Sequence, residues 1–332
     1  MRVSLFLIAI ILCTAAGLVA GYLAGHAHPK SAKSGKLEVV ATIFPLADWA
    51  REVGGDDATV HCLVDGTKNP HHFEAGIQDA TRVTRAKALL TVGLGLDPWA
   101  QKLAANSGGD ATVLVAGTWV DAMTMADARE IAIKGAGASV PADDDEHPGS
   151  TDPHFWLDPA RASIVVKHLG EEFGKLDPDH KEAYAQRATA YAAKLDAVNR
   201  DVENLAAAMP AGAKLVTFHD AYGYLFARLK ITIAAVVQVS PGVEPSAKDV
   251  AEAVKLMSEL KQKVVFREPG ANAAALDTLA HELGARVELL DPMDTEFSDA
   301  GKTYLERLRY DLKVVAGAEG VEATPRPEAG GK

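Results

Sequence analysis

Cysteine is nearly missing from this 332-residue chain, with only Cys13 and Cys62 present. Two thiols exclude both a disulfide framework and a cysteine-built zinc finger. Basic charge is also short. Against 45 acidic side chains stand 34 basic ones, a net −11, which argues against nucleic acid as a partner because phosphate binding needs concentrated Lys and Arg. There is no GxxxxGK[ST] phosphate loop and no HExxH zinc-protease sequence. Beyond the N-terminus no apolar run is long enough to span a bilayer. With 48% apolar and 24% charged residues the body is globular, and its length favours two domains over one. What the chain does have is histidine, eleven in all, its one plentiful metal-competent nitrogen ligand.

The run from Val3 to Gly25 carries no charge and leads into a His, Lys, Ser and Gly-rich stretch ending at Lys36. Residues 1–36 are expected to be an export signal or an uncleaved membrane anchor plus linker. Leu12 precedes Cys13, where a lipid-modified cysteine would usually follow a small residue. Removing this segment takes four positive charges from −11 and leaves −15, with Cys62 as the lone thiol.

From Leu37 onward, β-branched runs alternate with helical or loop segments. Strands are expected at 37–43, 58–64, 89–92 and 112–115, then at 215–218, 231–239, 264–266 and 287–290. That order predicts an α/β fold of two lobes, each a mainly parallel sheet flanked by helices. Asp158-Pro159 reads as an N-cap followed by proline at the first helical position, and Ser246 with Asp249 as a capping box. Between the lobes, a stretch from Pro178 to Met209 sets Tyr184, Ala188, Tyr191, Leu195, Val198, Val202, Leu205 and Met209 at alternating spacings of four and three. This is one continuous packing stripe, expected as a long rigid helix that joins the lobes as a strut. The expected divisions are an N-terminal lobe over 37–177, the linking helix over 178–210, a C-terminal lobe over 211–318 and a disordered tail over 319–332.

Four residues fall in equivalent places. His71 lies in the loop beyond the second strand, His219 and Asp291 directly follow strands, and His154 sits in the loop leading to the Asp158 cap. Ligands of open parallel sheets bind beyond the carboxyl ends of strands, so these loops can converge on one crevice. Three imidazoles and a carboxylate form a four-coordinate shell suited to zinc. Spacing alone is a weak signal, since any one of these histidines taken singly is more often a surface or structural residue. His61 is expected to pack within its strand, and His26, His28, His168, His180 and His281 are expected to stay outside the site. Trp99 and Trp156 are expected to pack beside the cleft and exclude water.

The segments ATIFPLADWAREVGGD, NPHHFEA, VGLGLDPWAQKL, DPHFWLDP, VTFHDAYGYL, VEPSAKDV, FREPGANAAAL and ELLDPMD run through almost the whole body. In them the chain resembles the metal-binding components of zinc and manganese ABC importers, the cluster A-I solute-binding proteins, and most closely the zinc-binding members. The resemblance implies one metal held between two α/β lobes and independently carries the ligand role to His71, His154, His219 and Asp291. In that family a Glu at the third position goes with manganese or iron and a His with zinc, and here the residue is His219. The family's long His-rich loop is reduced to Asp143-Asp144-Asp145-Glu146-His147, read as a solvated loop or a weak metal collector. His72 and His147 are left as alternative members of the site, Glu74 and Asp220 as partners that fix a histidine tautomer, and Glu268 as structural or supporting.

The expected function is therefore capture of Zn(II) as cargo outside the cytoplasm, in the periplasm or at a membrane anchor. Delivery is to a cognate ABC permease in the membrane, by a monomer that is not an enzyme. Mn(II) is the alternative cargo, and a secreted zinc hydrolase is the rival class.

Overall fold

The computed structural model describes residues 35–64, 68–124, 151–236, 264–269, 280–293 and 301–321, with five positions between 251 and 258. The N-terminal apolar run, the acidic loop at 143–147, the Ser246–Asp249 cap and the tail beyond 321 lie outside the described residues. Residues from Lys36 onward form one unit.

In the first half, β1 (Leu37–Ala41), β2 (Ala58–Cys62), β3 (Ala88–Thr91) and β4 (Thr112–Val115) make a parallel sheet in the order β2-β1-β3-β4. The central strands are almost wholly apolar and buried, as a sheet covered on both faces requires. Helices α1 (Phe44–Gly54), α2 (Ile77–Arg85) and α3 (Pro98–Ser107) connect them. In the second half β5 (Lys214–Thr217) pairs in parallel with β6 (Thr232–Val236), and β7 (Val264–Arg267) with β8 (Arg286–Leu289). Helix α6 (Gly223–Leu229) joins β5 to β6. Among the described residues this half is two parallel pairs, with β5 lying against β7, rather than one continuous ladder. Each of the eight expected strands has a counterpart.

Two helices link the halves, α4 (Pro159–Leu176) and α5 (Lys181–Ala208). Asp158 caps α4 by accepting from Ala160 N at 3.0 Å, and its buried carboxylate also takes Arg161 and, at 2.7 Å, Arg228. The stripe on α5 is buried from Tyr184 to Leu205. It is not a bare strut, however. Helix α4 packs along it, and α1, α6 and α7 (Tyr304–Ala318) close on its remaining flanks. Gly170 permits this approach, because a Cβ there would stand 2.7 Å from Ala188 Cβ.

Helix α7 begins with a reciprocal cap between Thr303 and Glu306. Its first residue is tied to the other half of the chain. Tyr304 N donates to Asp48 Oδ2 on α1 at 3.1 Å, and its hydroxyl donates to the Trp156 carbonyl. Burial pushes the Asp48 carboxyl up to about 6. Past the helix end, Val321 N still bonds Ala316 O at 2.8 Å and its side chain packs on the core, so order continues beyond the expected tail boundary at 319.

The close approach of α4 and α5 gives a direct test. Gly170→Leu is expected to cost about 1–3 kcal/mol through overpacking, read as a lower denaturation midpoint of the metal-free protein.

Candidate metal centre

Each expected histidine is aimed by its own local structure. His71 sits in a 3-10 turn, Pro70–His72, where Asn69 Oδ1 accepts from His71 N at 2.8 Å. Trp99 Nε1 fixes the same turn by donating to the Pro70 carbonyl at 2.9 Å, and the Trp99 ring packs on Phe73 at 4.7 Å. His154 follows an Asx turn in which Asp152 Oδ1 accepts from His154 N at 2.9 Å and contacts Nδ1 at 2.8 Å. Tyr224 holds that turn, its hydroxyl donating to the Asp152 carbonyl and accepting from Met123 N, each at 2.9 Å. His219 lies just past β5, with Nδ1 at 3.3 Å from both Glu268 oxygens beyond β7.

A carboxylate at Nδ1 fixes the tautomer in which Nε2 carries the lone pair. His154 and His219 are both arranged this way. With His71 they bring one ligand atom each to within 4.8 Å of one another. Ring centroids are separated by 5.3 Å (His154 to His219), 5.7 Å (His71 to His154) and 6.1 Å (His71 to His219). Tetrahedral zinc at about 2.0–2.1 Å from each nitrogen would hold the nitrogens about 3.4 Å apart, so modest inward ring movement completes the shell. The Nε2 atoms of His71 and His154 are buried with no hydrogen-bond partner among the described residues. Buried polar atoms are rarely left so, and these two nitrogens converging with one from His219 fit the donor set of a divalent cation.

The electrostatics agree. Burial, then the neighbouring imidazoles of His154 and His219, push His71 down to about 2. Burial and then His219 push His154 down to about 3, opposed by Asp220 and Glu268. His71 and His154 are therefore neutral at neutral pH, the form a metal needs.

Asp291 is buried just past β8, but it is not within the 4.8 Å group. Its Oδ1 accepts from Met293 N at 2.8 Å and its Oδ2 lies 3.6 Å from Arg307 Nη1. Of the expected tautomer partners, Glu74 is exposed and Asp220 acts on His154 through its field; His72, the alternative ligand, is also exposed. Asp152 and Glu268 hold the Nδ1 atoms instead. Trp156 is fully buried 5.1 Å from the His154 ring, with Nε1 donating to the Pro292 carbonyl at 2.7 Å. His61, His168 and His180 pair with Glu38, Glu171 and Asp177 respectively. His281 is exposed, and His26, His28 and His147 lie outside the described residues.

The family model of ZnuA, the periplasmic component A of a zinc-uptake complex, matches residues 39–318. The chain belongs to the ZnuA family. It is 27% identical over 314 residues to the zinc-binding lipoprotein AdcA of Streptococcus pneumoniae, covering 90% of this chain and 59% of AdcA. The chain thus spans about three-fifths of that relative's length. It is 27% identical over 294 residues to the high-affinity zinc uptake protein ZnuA of Bacillus subtilis, covering 84% of this chain and 86% of that one. Among solved structures, the solute-binding protein FpvC of Pseudomonas aeruginosa in complex with Mn2+ superposes with a TM-score of 0.70 at 26% identity, over 86% of this chain and 98% of FpvC. As a ZnuA-family chain it combines the family's α/β architecture with a pocket of three histidines.

The depressed imidazoles carry a pH signature. Above about 6.5 both native and unfolded His154 are neutral and the shift contributes nothing. As pH falls from about 6.5 toward 3, the unfolded chain takes up a proton that native His154 refuses, so metal-free stability drops. His154→Gln lacks this term. In chelator, the difference in Tm between wild type and this variant is expected to move in the variant's favour between pH 7.5 and pH 4.5. A difference independent of pH would remove the electrostatic account.

Proposed function

We propose that this ZnuA-family chain captures Zn(II) outside the cytoplasm and delivers it to a membrane ABC permease. In this reading His71, His154 and His219 bind the ion through Nε2 and Asp291 supplies a fourth, oxygen ligand. Lobes over 37–177 and 211–318 flank the site, and residues 1–36 serve as export signal or anchor. The observation that carries it is the pair of buried Nε2 atoms, without a hydrogen-bond partner among the described residues, that face a third imidazole, with carboxylates behind two of the three rings. The names of the AdcA and ZnuA relatives support zinc. The donor chemistry points the same way even though the FpvC fold is found with Mn2+: imidazole nitrogen suits zinc, whereas manganese favours oxygen-rich shells. The chain acts as a monomeric binder, not an enzyme. A catalytic zinc keeps an exchangeable position and a general base beside it, whereas a fourth ligand from Asp291 fills that position.

Competitive titration of the purified protein tests the shell. Each of His71→Ala, His154→Ala and His219→Ala is expected to weaken zinc binding by more than about tenfold, and by more than Asp291→Ala does, because water can replace a lost carboxylate. Asp152→Asn, which touches no metal, is expected to cost about 10–100-fold by freeing the His154 ring. Wild-type affinity in His219→Ala would refute the shell, and equal affinity for zinc and manganese would refute the choice of ion.

A further inference from the structure

Asp291 is placed between the supports of two histidines. The carbonyl of Leu290, on one side, accepts from Tyr222 OH at 3.1 Å, and the same hydroxyl lies 3.4 Å from Glu268 behind His219. The carbonyl of Pro292, on the other side, accepts from Trp156 beside His154. Yet the Asp291 carboxylate is turned to a different set of partners. Met293, buried with a φ of 61° that bulky residues rarely adopt, donates its N–H to Oδ1. Asp291 N donates to Asp311 Oδ1 at 3.0 Å, and Oδ2 faces Arg307.

Arg307 is 1% exposed. Its guanidinium carbon stands 3.7 Å from the Phe44 ring centroid and its Nε donates to the Gly301 carbonyl at 3.0 Å, so its position is fixed without Asp291. A buried guanidinium nevertheless needs a counter-charge. Asp291 Oδ2 stands 3.6 Å from it, and Asp311, one helical turn along α7, acts on it electrostatically. Asp311 is fully buried, and its Oδ2 has no hydrogen-bond partner among the described residues; burial and the nearby Asp291 charge push its carboxyl well up, whereas Arg307 favours its ionised form, the more so once Asp291 turns away. Asp311 can therefore take the guanidinium if Asp291 leaves it, keeping Oδ1 of Asp291 on Met293 while Oδ2 changes partner.

We propose that Arg307 is a positioning residue that competes with the bound divalent cation for Asp291 Oδ2, with Asp311 receiving the guanidinium when Asp291 turns to the metal. The competition sets how readily the site lets the ion go. This rests on the zinc-site reading above and adds the residue that governs its fourth ligand. A purely structural ion pair would affect stability alone, whereas a competitor must affect release, and only through Asp291.

The test is zinc release from the full chain into excess chelator by stopped flow, together with equilibrium affinity. It compares wild type, Arg307→Gln, Asp291→Asn and the double variant, with His154→Ala as control. Arg307→Gln is expected to slow release about tenfold and tighten binding to match, and this gain should vanish in the Asp291→Asn background. Unchanged or faster release, or the same gain without Asp291, would overturn the proposal. Wild-type binding by His154→Ala would instead bring down the site reading beneath it. Should Arg307→Gln not fold, the zinc-loaded wild-type structure decides: Asp291 Oδ2 on the metal with Arg307 on Asp311 is expected, and Arg307 still on Oδ2 would sink the idea.

Discussion

Imidazoles that face one another in a buried pocket repel when charged, and much of this structure keeps His71 and His154 neutral. A proton on His71 or His154 would place a buried charge beside two more rings, a cost that the nearby carboxylates only partly offset. Burial and mutual repulsion hold His71 and His154 neutral far below physiological pH. Neutrality alone would leave the tautomer open. Asp152 and Glu268 settle it at two of the rings by occupying Nδ1, so that the lone pairs are directed inward.

The three rings come from positions 71, 154 and 219, and a chain that long closes such a site only if the intervening segments are stiff. Parallel sheets supply part of this. The loops after β2 and β5 carry His71 and His219, while Glu268 and Asp291 follow β7 and β8. Helix packing supplies the rest. Asp158 clamps the start of α4 between Arg161 and Arg228, and the Tyr304 contacts with Asp48 and Trp156 fasten α7 to the first half. Trp156 takes part in both networks, bonded to the loop that bears Asp291 while its ring lies against His154.

Local chemistry was legible in the amino-acid order, and long-range pairing was not. The buried strands announce themselves as β-branched runs because both faces of a parallel sheet are covered. Asp158-Pro159 starts a helix for reasons that lie wholly within the dipeptide. The three histidines could be placed at strand ends and loops, and the structure does bring them together. Asp152 was also within reach: an Asp two residues before His154 is an Asx-turn signal, although proximity in sequence drew attention to Asp220 and Glu74 instead. No local pattern could pair Glu268 with His219 across 49 residues, or Arg307 with Asp291. The long linking helix forms as expected, but its packing partners were hidden for a related reason. A stripe shows that one face is buried but not by what, and Gly170 on another helix decides that α4 lies alongside.

Charge accounting explains why so few carboxylates are needed around such an ion. Three neutral imidazoles and one carboxylate leave a divalent cation with a net +1, and the carboxylates behind the rings of His154 and His219 lie close enough to offset it. A second directly bound carboxylate would shift the shell toward oxygen and toward ions such as manganese. The acidic groups of Asp152 and Glu268 are instead held behind the imidazole rings, at Nδ1, where they add field and orientation without changing the donor set. A carrier must also give its cargo up, and rigid saturation of every position would work against that. In the proposed shell the histidines are the preorganised part, and the carboxylate, which already has partners of its own at Met293 and Arg307, is the part that can change.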